Sequence, residues 1–226
     1  MWAVAKKEFK QYFLSPIGYI YIGVFLLMCS ITFYSNIFLA QSTNFASIFS
    51  LGATVLTFLV PVLTMRTFAE ERKNSTEVLI LTSPTSVKSM VLGKFLAAGM
   101  VVALSIACTF MYYIILSFFG EPAFSTSLVA MIGFALLSLA YVACGMFISS
   151  LTENQVVSAI VSMIVFLVLS FLSDVWAGFD SISIIDAFTT FESGLISVHD
   201  IVLLLSFTGF FIGMTVLVMN RRKYVK

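Results

Sequence analysis

Apolar runs of about 20 residues or more, the length a helix needs to cross roughly 30 Å of hydrocarbon, recur along the whole 226-residue chain and leave it few ways to fold. They are continuous, unlike the alternating ten-residue strands of an outer-membrane barrel. The expectation is an all-α integral membrane protein in one domain, 1–226, with six spans at about 18–39, 46–65, 90–119, 128–149, 156–172 and 201–219. Charged residues are only 10% of the chain, against about 25% in an average soluble domain. The first run is too long for the h-region of a cleavable signal peptide, so it is expected to stay in the mature protein.

The polar links set the topology. Residues 2–13 place Trp2, Ala5, Phe9, Tyr12 and Phe13 near one helical face and Lys6, Lys7 and Lys10 toward another, the pattern of an interfacial amphipathic helix. Ser15-Pro16 ends it, because proline disfavours helix at the residue before it. All twelve Lys and Arg residues fall in that helix, in the 66–94 region or in the C-terminal tail. With six spans these three regions share one side, which the positive-inside rule makes the cytoplasm. Both termini are therefore expected there. Lys94, at the start of the third run, can snorkel to the interface. Residues 173–200 carry five acidic residues, His199 and no Lys or Arg. Within them Ile184, Ile185, Phe188, Phe191 and Leu195 recur at helical spacing, so short re-entrant helices in the outer leaflet are expected before the sixth span.

One block is dense in charge. Six of the twelve residues 66–77 are ionic (Arg66, Glu70, Glu71, Arg72, Lys73, Glu77), and at roughly 2.5 to 3.5 kcal/mol each at mid-bilayer they exclude the block from lipid. Pro61 lacks an N–H and should kink the second span just before it. Asn74 and Glu77 have the spacing of a capping box, which divides the block into an extension of the second helix ending near Lys73 and a short apolar helix, 74–82, stopped at Ser83-Pro84. That short helix either lies on lipid headgroups or docks in a groove on a partner. Thr152 and Gln155 repeat the capping-box spacing in a second turn on the same side, with Thr152 as the expected cap.

Several chemistries are excluded. There is no G-x-x-x-x-G-K-[ST], and Gly93-Lys94 has no glycine loop before it. The single histidine cannot make a zinc protease site, and His199 has no evident serine to activate. Cys29, Cys108 and Cys144 lie inside apolar runs without metal or disulfide spacing and read as small packing residues. Charge is nearly absent at mid-membrane, which argues against an ion-coupled relay. The G-x-x-x-G of Gly209 and Gly213 is either a helix-contact face or glycine tolerated in an apolar helix. Net charge is +1 and the basic residues serve as membrane anchors, so nothing points to nucleic acid.

Lys7-Glu8-Phe9, Tyr12-Phe13-Leu14-Ser15-Pro16-Ile17-Gly18-Tyr19, Thr64-Met65-Arg66-Thr67-Phe68-Ala69-Glu70-Glu71-Arg72, Leu81-Thr82-Ser83-Pro84, Leu92-Gly93-Lys94 and Ser150-Leu151-Thr152-Glu153-Asn154-Gln155 together resemble the ABC-2 permease family, nearest its gliding-motility-type branch. The resemblance covers essentially the whole chain. It implies the permease subunit of an ATP-driven exporter, itself non-catalytic and without a cofactor, with ATP and Mg bound by a partner. Two ATP-binding cassette subunits, a second permease copy or a homologous permease as dimer partner, and the lipid bilayer are the implied partners, with room for an extracytoplasmic accessory protein. The implied location is a bacterial cytoplasmic membrane. The bend between helices two and three would be the coupling helix. The implied ATPase-facing residues are Glu70, Glu71, Arg72, Lys73, Asn74, Thr76, Glu77 and Leu79, with Thr152, Glu153, Asn154 and Gln155 as a smaller second contact. Glu70, Glu71 and Arg72 either hold the bend's shape or meet the ATPase rim. Many members carry glycine where Ser75 stands and a glutamate one place after Glu77, so the turn geometry departs from the family pattern here. An assembly subunit that transmits force without moving a substrate, and an ATP-independent channel, are the alternative readings. No substrate-binding residue can be chosen from the sequence.

Overall fold

A computed structural model of the chain describes residues 1–36, 44–74, 86–175 and 183–225. The described residues are helical and contain no strand. In chain order the helices are α1 (Trp2–Leu14), α2 (Pro16–Tyr34), α3 (Ser47–Thr64), α4 (Arg66–Lys73), α5 (Val87–Phe119), α6 (Phe124–Leu151), α7 (Gln155–Val175), α8 (Ile184–Glu192) and α9 (Val198–Val225). Five helical segments are long and apolar enough to cross a membrane: Pro16–Tyr34, Ser47–Lys73, Val87–Phe119, Phe124–Leu151 and Val198–Arg222. The fifth expected span corresponds to a shorter apolar segment, Gln155–Phe171.

Local chemistry accounts for the helix boundaries. Ser15 is extended (φ −96°, ψ 156°) between α1 and α2, and Pro16 takes the first position of α2, where its missing N–H would have been unpaired anyway. The Ser86 hydroxyl accepts from Ser89 N–H at the start of α5, and the Ser183 hydroxyl accepts from Asp186 N–H at the start of α8. Pro61 sits inside α3, and the helical run is interrupted at Met65 instead of at the proline.

The α6 helix is central, packing against α3, α4, α5, α7, α8 and α9. Its small residues permit this. A Cβ on Gly133 would come within 2.3 Å of the Phe191 Cβ, and one on Gly145 within 2.4 Å of the Thr64 hydroxyl. Aromatic rings fill the layer around it, with Phe134 touching Phe25, Phe49 and Phe188, and Tyr141 stacked on Phe166 at 4.5 Å. The α8 helix buries Ile184, Ala187, Phe188 and Phe191, while Leu195 is exposed beyond its end. Cys29 and Cys144 are buried free thiols. Gly209 and Gly213 on α9 have nothing within 4 Å of where a Cβ would be, so this glycine pair faces no other described helix of the chain.

Overpacking a close helix crossing costs about 1 to 3 kcal/mol. Gly133→Leu should therefore lower the thermal unfolding midpoint of the detergent-purified chain measurably, with Gly213→Ala leaving it unchanged in the same measurement.

Candidate functional site

The charged end of the molecule is built around Lys94. The side chain is 3% exposed, and Nζ donates to the Thr67 carbonyl at 2.7 Å and to Glu71 Oε1 at 2.6 Å. Glu8 Oε1 lies 3.5 Å away, and the Phe68 ring centroid 5.1 Å away. Lys94 therefore does not snorkel to the interface as its position at the start of an apolar run led us to expect. It points inward because α1 and α4 bring two carboxylates and a carbonyl to it, and taking an ammonium out of water costs several kcal/mol unless such partners are present. The neighbouring Gly93 permits the approach, since a Cβ there would come within 2.9 Å of Val4 and 3.0 Å of the Met1 carbonyl.

The N-terminal helix is tied down at its other end as well. Lys6, Lys7 and Lys10 are exposed and Ala5 is buried. The Tyr12 hydroxyl donates to the Leu63 carbonyl at 3.3 Å, and burial pushes the phenol up to about 12, so it stays protonated and remains a donor. Trp2, assigned to the apolar face, is 67% exposed.

Glu70, Glu71 and Arg72 all make contacts that fix the bend. Arg66 makes a two-pronged pair with Glu70 one helical turn away, with both N–O distances 2.6 Å. Arg72 donates to the Leu151 carbonyl at 3.2 Å and pairs with Glu153. Deeper in, the buried Ser149 hydroxyl accepts from the N–H groups of Phe68 (3.2 Å) and Ala69 (3.3 Å) and donates to the Met65 carbonyl (3.1 Å). In an uninterrupted helix the Met65 carbonyl would take the Ala69 N–H. Ser149 is thus inserted into the ladder, a recognised cause of a helix break, at the point where α3 gives way to α4. Losing a buried hydroxyl that serves two N–H groups costs about 1 to 3 kcal/mol. The Arg72–Glu153 pair, whose carboxylate is 73% exposed, is worth about 1 kcal/mol at most. Ser149 therefore contributes more to the α4–α6 joint than the ion pair does.

The cap of α7 also differs from expectation, and three of the expected site residues lie outside the described ones. The Thr152 hydroxyl donates back to the Ile148 carbonyl at 3.4 Å, and Asn154 caps α7 instead, its Oδ1 accepting from Val156 N–H at 2.9 Å. The cap sits two residues later than the T-x-x-Q spacing implied because α7 begins at Gln155. Asn74 closes α4, its N–H bonded to the Glu70 carbonyl at 3.0 Å. Thr76, Glu77 and Leu79 lie outside the described residues, and with them the 74–82 helix and its capping box. Lys73 and Asn74 are exposed at the end of α4, and Glu153, Asn154 and Gln155 stand in the adjoining turn, so the two regions form one continuous surface. Sequence reasoning passed over Glu8 and Ser149. Glu8 is the one acidic residue of α1, which is a signal; Ser149 has none, being one of many small polar residues in apolar runs. Among the described residues no group of three His, Cys, Asp or Glu residues could hold a metal.

The family model described as ABC-2 family transporter protein matches residues 2–219. No curated protein matches the chain.

Removing one partner from a buried ion pair costs about 3 to 5 kcal/mol, whereas replacing both with apolar groups can be neutral. Lys94→Met should therefore lower the unfolding midpoint strongly, and the double variant Lys94→Met/Glu71→Leu should recover part of the loss in a thermal double-mutant cycle. Strictly additive losses would show that the pair does not hold the bend.

Proposed function

The chain belongs to the ABC-2 transporter family and is a multi-pass membrane permease component of an ABC system, and from that premise we propose that it couples ATP hydrolysis in separate cassette subunits to export. The working unit is two permeases, identical or homologous, with two ATPases that supply the ATP and Mg sites, in a bacterial cytoplasmic membrane. Residues 1–226 form one domain of six spans with both termini cytoplasmic. In this reading α1 lies in the cytoplasmic interface and α8 enters the outer leaflet. The chain itself hydrolyses nothing.

What supports this reading is that the bend at 66–74 and the turn at 152–154 are one joined surface, held through Ser149 and Arg72–Glu153. A push on either is delivered to the same place. From there the Lys94 cluster carries it to α1 and α5, and the Gly145 contact carries it between α3 and α6. Glu70, Glu71 and Arg72 hold the bend in shape, leaving the exposed Lys73, Asn74, Glu153 and Asn154 and the half-buried Gln155, together with Thr76, Glu77 and Leu79, to meet the ATPase.

Lys73→Ala and Glu153→Gln each alter an exposed side chain and should change stability by no more than about 1 kcal/mol. Either change should nonetheless weaken ATPase co-purification or the stimulation of ATPase activity by this chain, by about tenfold for a residue anchoring the interface. Wild-type assembly and stimulation in both variants would remove the surface from the coupling route.

A further inference from the structure

At the end of the molecule opposite the charged bend, α3, α7 and α8 enclose a cavity of about 320 Å³. Its position follows from the chain: Leu167 to Phe171 lie twelve or more residues along α7 from the turn at Gln155, about 18 Å or more at 1.5 Å per residue. Thr54 and Thr57 on α3, Ser170 on α7 and Thr189 on α8 put hydroxyl-bearing residues on its wall, and among the described residues that line it Glu192 is the single ionisable one. Beside Thr57 and Ser170, outside the cavity wall itself, lies the buried Tyr141 hydroxyl.

The remaining wall is aromatic and aliphatic. Phe188 is buried, whereas Phe58 and Phe171 are 49% and 61% exposed, so the cavity opens sideways between rings that face the apolar surroundings. Glu192 is shared with another cavity lined by Asn44, Glu121 and Ser193, so its carboxyl stands between the lateral opening and the polar end of the molecule. No hydrogen bond or ion pair to Glu192 exists among the described residues. Burial holds its carboxyl above the ordinary carboxylate range, as expected of an acid half withdrawn from water with no cation beside it. Every Lys and Arg of the chain belongs to residues 6–10, 66–94 or 221–226, and none is among the described residues that line this cavity.

A space with a few placed oxygen atoms, one acid and an apolar exit selects by head-group chemistry. We propose that this cavity binds the head of a cationic amphiphile, an ammonium group on a long apolar tail, with Glu192 as its counter-ion. The Thr54 and Thr189 hydroxyl oxygens accept from the N–H groups of the head, and the tail leaves past Phe58 and Phe171. The proposal names the substrate class of the permease reading and rests on that reading only for the direction of movement.

The test uses the full chain in phosphatidylcholine nanodiscs without any ATPase, with tritiated dodecylamine, dodecanol and dodecanoate as probes and empty nanodiscs as the partition background. Loaded discs should retain the amine about tenfold better than the carboxylate, the scale of one charge-assisted hydrogen bond. Glu192→Gln should lower amine retention by a similar factor and leave dodecanol unchanged, and Thr54→Val should lower both. Equal retention of amine and carboxylate by the wild-type chain overturns the proposal without any variant. So does undiminished amine retention by a Glu192→Gln chain that elutes as wild type. ATPase stimulation is measured separately, so amine binding with no stimulation would sink the coupling reading and leave this one standing.

Discussion

An ammonium enclosed by protein has to be met by acceptors, and the Lys94 ammonium meets three: the Thr67 carbonyl, Glu71 and Glu8. Each comes from a different part of the chain than Lys94 itself, so this one desolvated charge fixes α1 and α4 against the first turns of α5. Desolvating any of the three charges alone would cost several kcal/mol, and gathering them offsets most of that. The consequence is geometrical. The N-terminal helix cannot move without disturbing Glu8, and the bend cannot move without disturbing Glu71.

The bend has a second joint, of a different chemical kind. Ser149 on α6 enters the helix ladder between Met65 and Ala69, so the break between α3 and α4 is specified by a residue 80 positions away. Neighbouring Gly145 lets α6 come close enough to Thr64 for that hydroxyl to reach. An ion cluster on one side and a ladder insertion on the other leave α4 few degrees of freedom of its own. It is suited to pass displacement on, in contrast to α9, few of whose residues are buried and whose Gly209 and Gly213 face no neighbour.

The two ends of the molecule differ in character. The bend and its partners hold the strong ionic contacts, whereas the described residues of the opposite end supply hydroxyls, aromatic rings, acids and His199, with no Lys or Arg. A membrane component driven from one face needs stiffness where force enters and adaptable polar groups where cargo is met. The separation of ionic and hydroxyl chemistry along the helices is the arrangement that the proposed coupling would use.

Membrane residence, the all-helical fold, the helix ends at Ser15-Pro16 and Lys73, the short helix built on Ile184, Phe188 and Phe191, and the family itself were legible in the residues. They depend on hydropathy, on proline stereochemistry and on ordered motifs, all of which are local. Tyr141 and Ser149 gave no such sign, Glu8 gave only its place as the one acid of α1, Lys94 pointed the wrong way, and Asn154 rather than Thr152 took the cap. The sequence by itself determined that this chain lives in a bilayer and turns back to water at a charged bend, because the cost of charge in hydrocarbon leaves no alternative. Only the tertiary structure decided that Lys94 faces inward and that Ser149 breaks the helix. A buried charge and an inserted hydroxyl are stable only where distant helices bring their partners, and no window of sequence contains those partners.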